Sequence, residues 1–531
     1  MSAPITRLVK TDLPLLIKGA RWAFLLGALL LLFILLNSSA GVAATLGLLL
    51  NEDFITTTLQ ALPLTNANRS TDEQALILAW RQKQFGVFSA GLAGSDITSN
   101  ALSMASLALG DVNGDSDLDL VGGDKNISAA VVIPAPGGVN PNLQLWLKAD
   151  AGVTQSGGAV SQWSDQSGNG FQAIQTTGAD KPSLLPNELN TNPVINFDGV
   201  SDDLLITNGI FGTTAHNDLN IYAVANTKVI TESRLFSEDV TPTRISVHLP
   251  WTDNNVYWDA GQGLGQGVAP YRLGVPWGGQ IDTPYLWGFL YSTSATANGN
   301  KQEIIRNGSV IGQDTTATAF TGTNQGFSLG SEGMNPFNGD IAELIVYVGS
   351  IDANQHTQIQ SYLALKYGLT IDGVNYVDSA GNTLWNAGTN ITYTNDVAGI
   401  GIDAGSALTQ TTSRSVNADS LVTITGTVAN IVDGEFLLWG NDDGATTAST
   451  EVPGGSPSPQ RLTREWKAAE TGETGNVTIA FELSGLVSAN EIDLSRPTDF
   501  ALLTDADGDF GDATATTGAT VVGNTRHFHR R

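Results

Sequence analysis

Cysteine is absent from this chain of 531 residues. That excludes disulfides, thiolate metal sites and cysteine nucleophiles. Basic residues are scarce: 25 Lys and Arg stand against 52 Asp and Glu, a formal net charge of -27. So acidic a chain repels nucleic acid and anionic membrane surfaces, so no nucleic-acid partner is expected. It attracts divalent cations, and much of the charge serves solubility alone. There is no His-Glu-x-x-His helix and no phosphate loop. The five histidines, His216, His248, His356, His527 and His529, show no metal-ligand spacing. These absences lower the expectation of an enzyme without removing it, because a site can assemble from distant residues.

What is present is apolar substance and turn chemistry. Hydrophobic residues make up 41% and Gly numbers 59, with Thr, Ser, Asn and Asp also frequent. That composition suits short strands joined by tight turns, and the length implies two to four domains. At the N-terminus, Arg7, Lys10, Lys18 and Arg21 precede an apolar run from Trp22 to Leu36, then Asn37-Ser38-Ser39-Ala40. A basic start, an apolar stretch and small residues match a secretory signal over residues 1–44, cleaved after Ala40 or Ala44. The alternative is an uncleaved signal-anchor helix, in which case the membrane is met only through this segment. Either way the remainder is expected outside the cytoplasm, secreted or at the cell surface.

Residues 45–86 show no firm pattern. Residues 87–133 alternate short strands with Gly and Asp turns, and Pro134-Ala135-Pro136-Gly137-Gly138 reads as a linker over 134–141. From Leu143 onward short strands recur without intervening helices, which predicts an all-β fold of sandwich or jelly-roll type over 142–370. One helix is expected at its end: Asp352 as N-cap with Gln355 three residues on, Ile359, Leu363 and Tyr367 on one face, and Gly368 as the stop. Residues 371–531 predict a second, C-terminal β-sandwich. Its basic tail, Arg526-His527-Phe528-His529-Arg530-Arg531, reads either as a truncated or frameshifted end or as a frayed natural terminus.

The sharpest motif is Asp111-Val112-Asn113-Gly114-Asp115-Ser116-Asp117-Leu118-Asp119. Calcium takes six to eight hard oxygens, and Asp111, Asn113, Asp115 and Asp119, with the backbone carbonyl of Asp117, can wrap one ion. An EF-hand is excluded at position twelve, where Gly122 stands instead of Glu. With Ser106-Leu107-Ala108-Leu109-Gly110 before it and Leu118-Asp119-Leu120-Val121 closing it, this segment resembles an FG-GAP or VCBS repeat. That resemblance implies a calcium loop between two strands. A single copy is present, whereas a propeller needs several blades. Weaker calcium candidates are Asp505, Asp507, Asp509 and Asp512, and the turn holding Asp198, Asp202 and Asp203; for each the plain alternative is an acidic turn.

The middle of the chain carries Leu145-Trp146-Leu147-Lys148-Ala149-Asp150, Trp163-Ser164-Asp165-Gln166-Ser167-Gly168-Asn169-Gly170 and Val194-Ile195-Asn196-Phe197-Asp198-Gly199. Gly339-Asp340-Ile341-Ala342-Glu343-Leu344 and Ser361-Tyr362-Leu363-Ala364-Leu365-Lys366-Tyr367-Gly368 follow in order. These blocks resemble the LamG-like, concanavalin A-like sandwich of bacterial surface proteins, and the segment after it resembles an uncharacterised β domain that accompanies such sandwiches. No Glu-x-Asp-x-x-Glu strand motif of a glycosidase is present. Glu303 and Glu343 are expected as outward-facing strand residues. Aromatics cluster in a Gly-rich stretch, and Trp251, Tyr257, Trp258, Tyr271 and Trp277 are candidate ligand-binding residues, because ring faces stack on sugars and loops carry function. The expectation is a non-enzymatic surface module that binds glycans or matrix proteins with calcium-stabilised loops. A secreted carbohydrate-active enzyme and a structural spacer are the alternatives.

Overall fold

The structure is a computed structural model. It describes residues 107–110, 119–122 and 133–530, apart from 241–242, 263–271, 318, 323–324, 331–334, 455–459, 484–499 and 524. The chain separates into two compact units at residues 131 and 132. The signal segment and residues 45–86 lie outside the described residues, as do Asp111 to Asp117 of the acidic loop. In the first unit, β1 (Leu107–Gly110) pairs antiparallel with β2 (Asp119–Gly122), Gly110 facing Asp119 across the loop that joins them.

The second unit is all-β and is built in layers. Its central sheet contains β3 (Leu143–Lys148), β4 (Asn192–Asp198), β5 (Asp218–Thr227), β9 (Pro284–Ser292), β10 (Gln302–Arg306) and β11 (Asn338–Tyr347). The order β10-β9-β5-β11 is antiparallel throughout, and β11 continues to β3 along one half and to β4 along the other. Above it lies an outer sheet with β6 (Thr243–His248), β7 (Asn255–Gln262) and β8 (Arg272–Pro276). Side chains alternate along strands, so Ile221, Ala223, Phe289 and Val346 of the central sheet meet Val247, Val256 and Trp258 of the outer one in one core.

The opposite face of the central sheet is buried too. Tyr222, Val224, Leu286 and Ile345 pack beneath α1 (Ala353–Tyr367), and this second core also takes Val397, Phe436 and Leu438 from the C-terminal region. Helix α1 forms where the sequence places it. Asp352 accepts from the amides of Asn354 and Gln355 while Gln355 reaches back to the Asp352 amide, and Gly368 ends the helix at φ 64°. A Cβ on Gly368 would lie 2.2 Å from the Arg414 carbonyl oxygen, so both backbone angle and space require glycine.

The C-terminal sandwich has a four-stranded sheet, β13-β12-β16-β17, from β12 (Asn395–Asp403), β13 (Leu408–Gln410), β16 (Phe436–Asn441) and β17 (Trp466–Thr471). A five-stranded sheet, β14-β15-β18-β22-β21, faces it, from β14 (Thr412–Arg414), β15 (Val422–Thr425), β18 (Val477–Glu482), β21 (Thr520–Val522) and β22 (Thr525–Arg530). Ala398, Ile400, Leu437 and Trp439 meet Val422, Ile424 and Val477 between them.

Three expectations are corrected. The proline–glycine stretch is no loose linker: Ala135, Pro136 and Gly137 are buried, and the Ala135 amide donates to the Gly405 carbonyl. A Cβ on Gly137 would meet the α1 backbone at Gln358 at 2.5 Å. The basic tail is not frayed over 525–530: it is a paired strand, β22, with Phe528 buried edge-on against Phe481. Glu303 and Glu343 do not face outward; both are fully buried. Their strands lie in a sheet covered on both faces, so even the side opposite the sandwich core is closed to water.

Candidate functional site

The outer face of β6-β7-β8 is polar where its inner face is apolar. Along β7, Val256, Trp258 and Ala260 point into the core, which leaves Tyr257 and Asp259 on the outer side. Register pairs Asp259 with Arg272 and Ser246, and Tyr257 with Gly274 and His248, so all six share that face with Arg244. Gly274 makes room for the tyrosine: a Cβ there would sit 2.5 Å from Tyr257 Cε1.

Asp259 is the centre of this group. Arg272 Nε donates to its Oδ1 at 2.5 Å and Nη2 to its Oδ2 at 2.6 Å, a bidentate pair. Ser246 Oγ adds a bond to Oδ2 at 3.1 Å, and Arg244 Nε lies 3.2 Å away. Burial alone would push this carboxyl up, but Arg272, His248 and Arg244 together hold it well below the usual carboxylate range. His248 is pushed down, chiefly by burial, against the opposing pull of Asp259. Its Nδ1 donates to the Ser233 carbonyl at 3.0 Å, so in the neutral ring Nε2 accepts from Arg244 Nη2 at 3.2 Å.

Two aromatics flank the group. Trp251 stands edge-on to the His248 ring with centroids 4.7 Å apart, and the Arg272 guanidinium lies 4.7 Å above the Tyr257 ring. Tyr257 OH donates to Asp253 at the rim. Both aromatics are half-buried. The surface therefore offers ring edges and faces and a partly exposed guanidinium, held from beneath by the buried Asp259 carboxylate. Such a planar polar group beside aromatic carbon suits hydroxyl-bearing ligands.

Of the aromatics read from sequence, Trp251 and Tyr257 meet here. Trp258 and Trp277 are corrected: they are 0% and 3% exposed and pack the sandwich core, so they cannot contact a ligand. Tyr271 lies outside the described residues. His248, Asp259, Arg244 and Arg272 were not singled out by the sequence. The apolar-polar alternation over 256–260 carries the signal for Asp259 and Tyr257; nothing local signals the arginines.

The buried acids are saturated. Glu343 accepts from Trp146 Nε1 at 2.6 Å, Tyr367 OH at 2.7 Å and Lys366 Nζ at 2.9 Å, and Lys366 also reaches Asp150 at 2.8 Å. Glu303 accepts from Thr296 Oγ1, Asn298 and Asn300 and thereby closes the turn at 293–301.

The calcium candidates separate. Asp119 lies in β2, and the rest of its loop lies outside the described residues. In the 198–203 turn, Asp198 Oδ1 accepts from the amides of Val200 and Ser201, while Asp202 Oδ2 accepts from the Asp198 amide at 2.9 Å and Asp203 from Gln175. Burial, with the charges of Asp198 and Asp180, pushes Asp202 up to about 6. These carboxylates serve the turn itself. Between β19 (Ala501–Thr504) and β20 (Thr514–Thr517), the carboxylate oxygens of Asp505, Asp507 and Asp512 lie within 4.8 Å of one another. Asp509 is turned away to the Gly511 amide. The negative charges of Asp505 and Asp507 push Asp512 up. Three crowded carboxylates fit the hard-oxygen demand of calcium.

No helix among the described residues is long and apolar enough to cross a membrane. A family model described as a domain of unknown function (DUF8202) matches residues 355–530, less than half of the chain. No curated protein matches. Among solved structures, the chain is similar to domain 4 of AbnA, a GH43 extracellular arabinanase from Geobacillus stearothermophilus in complex with arabinotriose. Identity is 18%, over 41% of this chain and 98% of that one, at TM-score 0.31. It is similar to a botulinum neurotoxin serotype D binding domain at 10% identity, over 66% and 72%, TM-score 0.33. It is similar to a Trypanosoma rangeli sialidase at 10% identity, over 42% of this chain and 33% of that one, TM-score 0.28. At such scores the likenesses decide nothing about activity.

Proposed function

We propose that this protein is an exported, non-enzymatic surface module that binds glycans through the outer face of β6-β7-β8. The observation that carries the reading is the Asp259–Arg272–His248 group flanked by Trp251 and Tyr257. It presents the partly exposed Arg272 guanidinium, fixed from beneath by the buried Asp259 and His248, beside aromatic carbon on a sheet face with no part in the sandwich core. The basic start and apolar run before residue 44 support export, and the ordered blocks quoted above support a LamG-like sandwich preceded by an FG-GAP/VCBS-like repeat. Partners of this kind are surface or matrix glycans and glycoproteins. Calcium is part of the proposal. Asp505, Asp507 and Asp512 would hold the ion, whose charge would relieve their mutual repulsion and tie β19 to β20.

A glycan array probed with the chain from residue 51, in calcium, tests the reading. Binding is expected, and Trp251→Ala or Gly274→Ala, the latter crowding Tyr257, should weaken it at least tenfold with the melting temperature unchanged. An array with no ligand, or one indifferent to both variants, refutes it. For calcium, titration should raise the melting temperature, and Asp507→Asn should abolish the rise. A rise that survives in Asp507→Asn excludes this site.

A further inference from the structure

Asp150, Glu343 and Lys366 come from three parts of the chain that meet only once it is folded. Asp150 follows β3, Glu343 sits in β11 opposite Lys148, and Lys366 lies in the last turn of α1. Lys366 Nζ is 2.8 Å from Asp150 Oδ1 and 2.9 Å from Glu343 Oε2. Tyr362 OH lies 3.3 Å from both Nζ and Oε2. Trp146, Tyr362 and Tyr367, all buried, wall the group. Lys148 is its second cation, with Nζ 4.6 Å from the centre of the Trp146 ring, so two ammonium groups stand against two carboxylates.

This ion pair also has the geometry of the reactants of an amide condensation. The carboxyl carbon lies one C–O bond, about 1.2 Å, beyond the contacted oxygen, so Nζ is close to attacking range of Cγ. Asp150 is the exposed member, its side chain 33% exposed against 4% for Lys366 and 0% for Glu343, so its carboxyl can turn about a soft terminal torsion and offer its carbon. Burial alone would push the Asp150 carboxyl up, but the charges of Lys366 and Lys148 hold it below its ordinary value, so the pair starts as ammonium and carboxylate. We infer that Lys366 Nζ and Asp150 Cγ join in an amide bond, with Glu343 carrying the protons. Glu343 Oε2 takes a proton from the ammonium, and the freed lone pair forms the N–C bond. The tetrahedral carbon expels one Asp150 oxygen, which leaves as water with the two protons the nitrogen gives up. Glu343 relays both and ends as the carboxylate it began as; nothing is oxidised or reduced, and no co-reactant is needed. One cation and one anion disappear together, which leaves Lys148 to balance Glu343 and takes two charges out of a site where charge is costly. In a chain without cysteine the bond is a covalent staple across a sequence separation of 216, closing a loop that contains β4 to β11. The inference stands apart from the glycan-binding reading.

Tryptic mapping by tandem mass spectrometry of the full chain, sampled over time after folding, tests the inference. A linked peptide pair joining Asp150 to Lys366 is expected, lighter than its two parts by one water, with no cleavage after Lys366. Asp150→Ala should give the two peptides separately. Glu343→Gln, which keeps both reacting groups, should slow the joining about a hundredfold. Melting temperatures establish that both variants fold, and the parent chain decides the matter even where one does not. Separate peptides, with cleavage after Lys366 in the folded parent, overturn the inference. So does a water loss that maps to any other residue, or a link to Lys366 that persists in Asp150→Ala. Joining at the parental rate in Glu343→Gln overturns the role given to Glu343.

Discussion

Lys366 reports most directly on how the layers are joined. Its ammonium lies between Asp150 and Glu343, at 2.8 and 2.9 Å, with side-chain exposures of 4% for Lys366 and 0% for Glu343. Lys366→Met removes the cation and keeps the apolar stem, so Glu343 is left as a buried carboxylate with only Trp146 and tyrosine donors. Removing one partner of a buried pair typically costs about 3–5 kcal/mol, and the expectation here is that range. Glu343→Gln keeps an acceptor for Trp146 and leaves Lys366 its bond to Asp150, so its cost should be smaller, about 2 kcal/mol. In the double variant no buried charge is stranded, and the total should fall short of the sum of the single losses. Urea denaturation followed by tryptophan fluorescence measures all three, with Trp146 as a reporter inside the network. A Lys366→Met loss below about 1 kcal/mol, or strict additivity in the double variant, would refute the assignment of Glu343 as a charged, buried partner.

Asp202 has a folded value of about 6, above its ordinary 3.8, so its stabilising, protonated form is complete below pH 3.8 and is lost as pH rises through 6. Asp202→Asn should therefore be more stable than the parent at pH 8 by about 1–2 kcal/mol, once solvent screening at the turn is allowed for, with the difference vanishing near pH 3.8; urea midpoints at the two pH values decide it. His356 behaves oppositely. Burial pushes it down to about 4, and its Nδ1 meets Tyr222 OH at 2.7 Å. Its contribution is full above pH 6.5 and lost as pH falls toward 4, by up to about 3 kcal/mol, so His356→Gln should flatten the acid limb of the stability profile; an unchanged limb counts against it. Trp258→Ala should cost about 3–5 kcal/mol by emptying a core position, whereas Tyr257→Ala, one residue away, should stay within about 1 kcal/mol, as paired thermal melts will show.

That contrast measures what the sequence makes legible. Strand alternation over Val256-Tyr257-Trp258-Asp259-Ala260 assigns Trp258 inward and Tyr257 outward, a distinction that the clustering of aromatics in the stretch does not carry. The helix at 353–367 was readable to its caps, because capping is local chemistry. The burial of Glu343 and Glu303 was not readable. It depends on a second cover for the central sheet, brought by α1 and the C-terminal strands from far along the chain, and no pattern within β10 or β11 encodes that. The pairing of Arg272 with Asp259 likewise arises from strand register, which local residues do not specify.

Helix α1 is enclosed between two sheets that the chain order assigns to different sandwiches. The DUF8202 match begins at residue 355, inside that helix. A protease cut or a gene fusion placed at residue 370, where the strands change sandwich, would strip Val397, Phe436 and Leu438 from the helix and open the second core to water. In recombination and in protein engineering alike, the part from residue 133 to 530 therefore behaves as a single inheritable piece. Shuffling its two sandwiches independently should yield aggregation-prone halves rather than working modules.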